Sequence, residues 1–203
     1  MENRSKGIRI AVINGSVRPG NYTSMASALV VDELKKDPMV TVHLINPEDY
    51  HLPFPGANHN VEGTKRLQEQ VKNATAVVLA TPEYHGSFSS VMKLVIENLG
   101  FPSVLAGKPV ALLGVAAGSI GAIKSLEQLR SVCSHIGAIV LPLPVSVPNV
   151  QKVFDSSGRP LDPAAEKLIR SVAANVLNYV RQNICPSVTL ERLLRSGMVA
   201  AGS

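Results

Sequence analysis

Ile8-Arg-Ile-Ala-Val-Ile-Asn14-Gly-Ser-Val-Arg-Pro-Gly-Asn-Tyr-Thr-Ser24 decides the architecture: an apolar β-branched run empties into a Gly/Ser/Arg/Thr loop, and a helical pattern follows from Met25 to Lys35. Strand, polar loop and helix in that order open a βαβ unit. The loop is shaped to hold a phosphate. Backbone N–H groups and hydroxyls converge there, the helix N-terminus adds partial positive charge, and Arg18 adds a full one. No Gly-Lys-Ser/Thr follows, and Gly-x-Gly-x-x-Gly is absent, so neither the triphosphatase loop nor the dinucleotide turn applies.

The same alternation continues along the chain. Strands are expected at Ile8–Asn14, Val40–Ile45, Ala76–Thr81, Pro109–Val115 and Ala138–Leu141. Helices are expected at Met25–Lys35, Glu62–Asn73, Ser89–Leu99, Ile120–Ile136 and Pro163–Gln182, the last opened by an Asp162-Pro163 cap. The expected fold class is α/β, a doubly wound five-stranded parallel sheet in strand order 2-1-3-4-5 with helices on both faces. Proline-rich stretches at 46–60 and 142–160 read as surface loops. No linker or repeat interrupts residues 1–185, expected to be one domain; 186–203 read as a tail with an apolar helical pattern from Val188 to Leu194.

Composition excludes several classes. With 45% apolar and 17% charged residues the 203-residue chain is globular. The formal charge of +5 is scattered and aromatics make up 4%, too few stacking platforms for a nucleic-acid surface, so no nucleic-acid partner is expected. No run approaches the ~18 apolar residues of a membrane helix, and no leader pattern opens the chain; no membrane insertion and a cytoplasmic location are expected. Cys133 and Cys185 form no disulfide framework or Cys-x-x-Cys pair, and His43, His51, His59 and His135 lack ligand spacing, so no metal is expected. Ser16, Ser24 and Ser87 lack a nucleophile elbow.

Two further loops carry chemistry. Thr81-Pro-Glu-Tyr-His-Gly-Ser87 follows the third strand, where Pro82 is expected to end the strand and Gly86 permits a positive φ or a close backbone approach. Ala116-Ala-Gly-Ser-Ile-Gly121 follows the fourth and lets a ring approach its backbone. In the 2-1-3-4-5 order strands one, three and four are neighbours, so the three loops meet at one sheet edge. One phosphate loop beside two ring-contacting loops describes a mononucleotide pocket.

On Gly15-Ser-Val-Arg-Pro-Gly-Asn-Tyr-Thr23, Pro82-Glu-Tyr-His-Gly-Ser87 and Gly118-Ser-Ile-Gly121, the chain resembles the NADPH-dependent FMN reductase family of flavodoxin-like proteins, over roughly residues 7 to 182. The resemblance implies a flavodoxin-like domain with non-covalent FMN. Ser16, Arg18, Asn21, Tyr22 and Thr23 would bind at the phosphate end. Pro82, Glu83, Tyr84, His85, Gly86 and Ser87 would line the ribityl chain and ring, with Gly118 and Ser119 on the ring's other side. The family pattern has Asn where this chain has His85, Ser at Asn21 and Asn at Thr23. No catalytic residue is implied, because the flavin carries the chemistry; His85 is the one candidate acid.

The implied activity is an NAD(P)H oxidoreductase. NADPH or NADH gives hydride to FMN, and a small-molecule electron acceptor follows: a quinone, azo compound, metal oxyanion or free flavin. The resemblance also implies a homodimer or homotetramer. The alternative is a flavodoxin-type electron carrier, or a flavin-binding regulatory protein, without nicotinamide turnover; carriers of that kind are acidic, and this chain is basic.

Overall fold

A parallel sheet in the order β2-β1-β3-β5-β6 forms the centre of the molecule. The computed structural model describes residues 7–57 and 61–195; His59, the end of the 46–60 loop and the last residues of the tail lie outside them. In chain order the elements are β1 (Ile8–Asn14), α1 (Tyr22–Lys35), β2 (Val40–Ile45), α2 (Glu62–Asn73), β3 (Ala76–Tyr84), β4 (Ser87–Phe88) and α3 (Ser90–Glu97). Then follow β5 (Pro109–Val115), α4 (Ile123–His135), β6 (Ile139–Val140), β7 (Val145–Val147), α5 (Pro163–Tyr179) and α6 (Cys185–Arg195).

Alternate residues of each strand enter opposite cores, as a pleated sheet covered on both faces requires. Ile10, Val12, Val78 and Leu113 pack with α1 and α5 residues such as Val30, Leu34, Ile169 and Val176. Ala11, Ile13, Leu79 and Leu112 pack with Leu67 and Val71 of α2, Met92 and Val95 of α3, and Leu126 and Leu129 of α4. Cys133 is part of this second core, and burial pushes its thiol up to about 12, leaving it inert packing.

The expected strand order holds, with corrections at the loops. The fifth strand, read as Ala138–Leu141, is split: β6 pairs with the start of β5 through Val110↔Val140, and β7 pairs with its end through Leu113↔Val145. Pro142 and Pro144 lack ladder donors and Leu143 takes φ 61°, so the chain leaves the sheet and returns. Residues 142–160, read as loop, thus contain β7. Pro82 does not end β3. It stands opposite Val115 at the sheet's end, and the strand runs on to Tyr84 to pair with β4. α4 begins at Ile123, not Ile120, because Gly121 at φ 80° cannot be helical. α1 begins three residues early, at Tyr22, capped by Asn21.

Beyond Tyr179 the chain stays helical through a π turn, Val180–Ile184, into α6, which exposes Val188, Leu190, Leu193 and Leu194. Among the described residues no helix is long and apolar enough to cross a membrane.

Arg170 of α5 ties this face together. Its guanidinium pairs with Asp32 (2.5 Å) and Glu33 (3.2 Å) of α1 and with Glu166 one turn away (2.8 Å). The Arg170 hydrogen bond holds the Asp32 carboxyl below its ordinary value; Glu33 is lowered first by Lys36 and then by Arg170. Carboxylates with lowered folded pKa values stabilise the fold above their unfolded value of about 4 and lose that contribution as pH falls. Arg170→Met should therefore lower the urea midpoint at about pH 6, and the gap from wild type should narrow at about pH 3.

Candidate functional site

The parallel register places Asn14 beside Ala80 and Pro82 beside Val115, so β1, β3 and β5 deliver their following loops to one edge of the sheet. The first loop starts with a close approach: Gly15 N–H donates to Ala80 C=O at 2.7 Å, and a Cβ at Gly15 would lie 2.6 Å from that oxygen. Only glycine fits there.

Within this loop three carbonyls are bonded inside the protein. Gly15 C=O accepts from Ser89 Oγ (2.6 Å), Ser16 C=O from Asn14 Nδ2 (3.1 Å), and Arg18 C=O from Asn21 Nδ2 (2.7 Å). Asn21 Oδ1 meanwhile accepts from Ser24 N–H at 2.7 Å, so one amide caps α1 and braces the loop. A serine at 21 could cap the helix, yet its hydroxyl could not also reach back with a second group. The N–H groups of Ser16, Val17, Tyr22 and Thr23 have no acceptor among the described residues. Arg18 is exposed and has no ion pair among the described residues, and no carboxylate occurs from Gly15 to Val31.

The second loop is a two-residue hairpin turn. Tyr84 and Ser87 pair across β3 and β4, and His85 and Gly86 between them take φ 52° and 75°. Two positive φ values in succession are what a type I′ turn demands, a position that favours Asn-Gly. His85 replaces the Asn at little cost, because histidine is among the residues enriched in left-handed conformations. His85 is exposed, and its side chain has no hydrogen-bond partner among the described residues. Gly86 C=O accepts from Gln128 of α4 at 2.9 Å, while the N–H groups of His85 and Gly86 have no acceptor among those residues.

The third loop repeats the pattern. Ala116 C=O accepts from Val150 N–H (3.0 Å), Ala117 C=O from Gln151 Nε2 (3.2 Å), and Gly118 C=O from the N–H groups of Asn149 and Gly121 (both 3.2 Å). The N–H groups of Gly118, Ser119 and Ile120 have no acceptor among the described residues.

Of the residues singled out in the sequence, the edge gathers those of all three loops. Ser16 and Thr23 are buried, and Tyr84, Gly118 and Ser119 are exposed at the rim. Several of the thirteen have partners inside the protein: besides the Asn21 and Gly86 bonds above, Ser16 Oγ accepts from Arg18 N–H (3.5 Å) and the Tyr22 ring stacks on Phe154 with centroids 6.4 Å apart. Glu83 Oε2 accepts from Ser125 N–H (3.2 Å) in the first turn of α4, where a carboxylate is favoured by the helix dipole, and Ser87 Oγ donates to Gln128 Oε1 (2.7 Å). Sequence reading missed Asn14, Thr81, Ser89 and Gln128. Ser89 was legible in principle as the N-cap of α3, accepting from Met92 N–H (3.0 Å); its bond to Gly15, from 74 residues away, left no local signal.

The donor set suits a phosphorylated heterocycle: a cationic, N–H-rich loop at a helix start for the anion, and two donor-bearing loops beside it for ring acceptors. A buried orphan supports a polar occupant, since Asn14 Oδ1 has no partner among the described residues. A separate concavity of about 1010 Å³, lined by Ile96, Phe101 and Val132 among others, includes none of these loops. Among the described residues no group of His, Cys, Asp or Glu could hold a metal ion.

The family described as NADPH-dependent FMN reductase matches residues 8–152. An NAD(P)H-dependent FMN reductase of Pseudomonas aeruginosa is 31% identical, covering 88% of this chain and 98% of that protein. An NADPH azoreductase of a Bacillus species is 27% identical over 85% of this chain and 94% of its own length. Among solved structures, FerB, a flavoenzyme NAD(P)H:(acceptor) oxidoreductase from Paracoccus denitrificans, superposes with a TM-score of 0.66 at 21% identity, covering 84% of this chain and 98% of that one.

Ser89→Ala leaves Gly15 C=O and the α3 start without their hydroxyl. It should cost about 1–3 kcal/mol in denaturant unfolding. Gly15→Ala should be worse, since the clash is with backbone.

Proposed function

The chain belongs to the NADPH-dependent FMN reductase family, and we propose that its FMN is held at the edge formed by the loops after β1, β3 and β5. The protein is an FMN-dependent NAD(P)H oxidoreductase. The observation that supports this placement is the distribution of backbone donors: each of the three loops has carbonyls bonded inside the protein and N–H groups without acceptors among the described residues.

In this reading Arg18, Ser16, Asn21, Tyr22 and Thr23 would hold the phosphate against the α1 N-terminus. The turn N–H groups of His85 and Gly86 would face acceptor atoms of the ring, Pro82 and Tyr84 would flank it, and Gly118 and Ser119 would support its other side. Bound FMN supplies the hydride-transfer chemistry. The chain's own residues orient the ring and place fixed dipoles where negative charge develops, which is the protein's share of rate enhancement in such enzymes. No side chain is assigned as an acid, and the exposed His85 serves the turn. Glu83 and Ser87 act from behind, through α4.

The substrates are NADPH or NADH and a planar, small-molecule acceptor, with quinones and azo compounds favoured over metal oxyanions because the rim carries Val17, Tyr84 and Ile120 as exposed apolar surface. A cytoplasmic homodimer or homotetramer fits the exposed apolar residues Phe101, Leu190 and Leu194. Residues 1–185 form the domain in this reading and 186–203 an appended tail.

Two outcomes test it. The purified protein should show flavin absorption bands that bleach on anaerobic addition of NADPH; bands that persist would favour the electron-carrier alternative. Arg18→Ala should raise the FMN Kd about tenfold, the worth of one charge-assisted phosphate contact, measured by flavin fluorescence.

A further inference from the structure

The hairpin expected to carry ring contacts is held by a residue that no sequence motif singled out. Gln128 lies on the second turn of α4, more than forty residues from the turn it touches. Its carboxamide spans two consecutive residues of the hairpin: Nε2 donates to Gly86 C=O at 2.9 Å, and Oε1 accepts from Ser87 Oγ at 2.7 Å. Only a carboxamide offers a donor and an acceptor at that separation. A second α4 contact holds the same element: Ser125 N–H donates to Glu83 Oε2 at 3.2 Å.

A two-residue hairpin with a glycine at its tip is poorly fixed by its own bonds, since isolated two-stranded ribbons are marginal in water. The α4 contacts remove that freedom. Gly86 C=O bonds to Gln128, and the N–H groups of His85 and Gly86 have no acceptor among the described residues. Donors fixed before a ligand arrives cost no reorganisation when it binds or changes charge.

We propose that Gln128 is a positioning residue for the flavin, acting through Gly86 and Ser87 to set where the His85–Gly86 donors stand. The proposal rests on FMN occupying the three-loop edge. Gln128 sets ring contacts, whereas Arg18 and the α1 start set phosphate contacts, and the two ends separate experimentally. Because Gln128 is exposed, its replacement leaves both hydrophobic cores untouched.

The test compares wild type, Gln128→Leu, Gln128→Glu, Ser87→Ala and the double variant Gln128→Leu/Ser87→Ala as FMN-loaded proteins. FMN Kd, the visible circular dichroism of the bound flavin and its midpoint potential are measured, alongside thermal unfolding. Gln128→Leu should raise the FMN Kd roughly tenfold, the worth of about one good hydrogen bond, and should change both the dichroism and the potential. Gln128→Glu keeps the Ser87 contact and sets a carboxylate against Gly86 C=O, so it should change them at least as much. Ser87→Ala should have a smaller effect, and the double variant should fall short of the sum, because both act on one contact. If the Gln128 variants lower only the melting temperature while Kd, dichroism and potential stay at wild-type values, the proposal is wrong. If the wild-type protein itself binds no FMN, the placement of the flavin fails instead, and the comparison among variants identifies which statement has been lost.

Discussion

Backbone polarity at the carboxyl edge of the sheet governs the rest of the structure. A parallel sheet ends in loops whose peptide groups must either bond inside the protein or face outward. Here several carbonyls bond inward: Ser89 and Asn14 take two of the first loop, Gln128 takes one from the hairpin, and the 149–151 segment takes those of Ala116, Ala117 and Gly118. N–H groups in all three loops are left without acceptors among the described residues. With Arg18 and the start of α1 added, the edge is a donor surface suited to a phosphate and to a ring rich in acceptors. The same ties join the loops to one another. Ser89 connects the first loop to α3 and to Thr81 of β3, whose Oγ1 accepts from Ser89 N–H at 3.1 Å, and α4 connects the hairpin to the second core.

That arrangement divides labour between the two cores. The face built on α1 and α5 anchors the loop after β1, since α1 begins at that loop and Arg170 fixes α1 against α5. The opposite face, through α3 and α4, anchors the hairpin. Residues outside the three loops therefore set the positions of the donors within them. It also explains why Glu83 and Ser87, which read as ring contacts in the sequence, face α4: the hairpin needs something behind it.

Much of this was legible in the sequence. β1, β2 and β5 and helix α2 stand at the residues the hydrophobic patterns indicate, and the strand order follows from alternating strand and helix. The gathering of the three loops at one sheet edge was legible because they follow neighbouring strands. The misreadings have local causes. Pro82 looks like a strand end, yet it sits where its missing N–H is harmless. Pro142 and Pro144 concealed β7 by marking its approach as loop. The hairpin was hidden because His-Gly occupies a turn whose usual signature is Asn-Gly. Gln128 and Ser89 could not have been found at all from spacing, because their partners lie 42 and 74 residues away and only the fold brings them together.

Amide chemical shifts of the apoprotein titrated with FMN test the central claim most directly. The account predicts that the largest changes fall on Ser16, Val17, Tyr22, Thr23, His85, Gly86 and Ser119, whose N–H groups have no acceptor among the described residues. Changes concentrated instead on Ile96, Phe101, Ser131 and Val132, around the separate concavity, would contradict it.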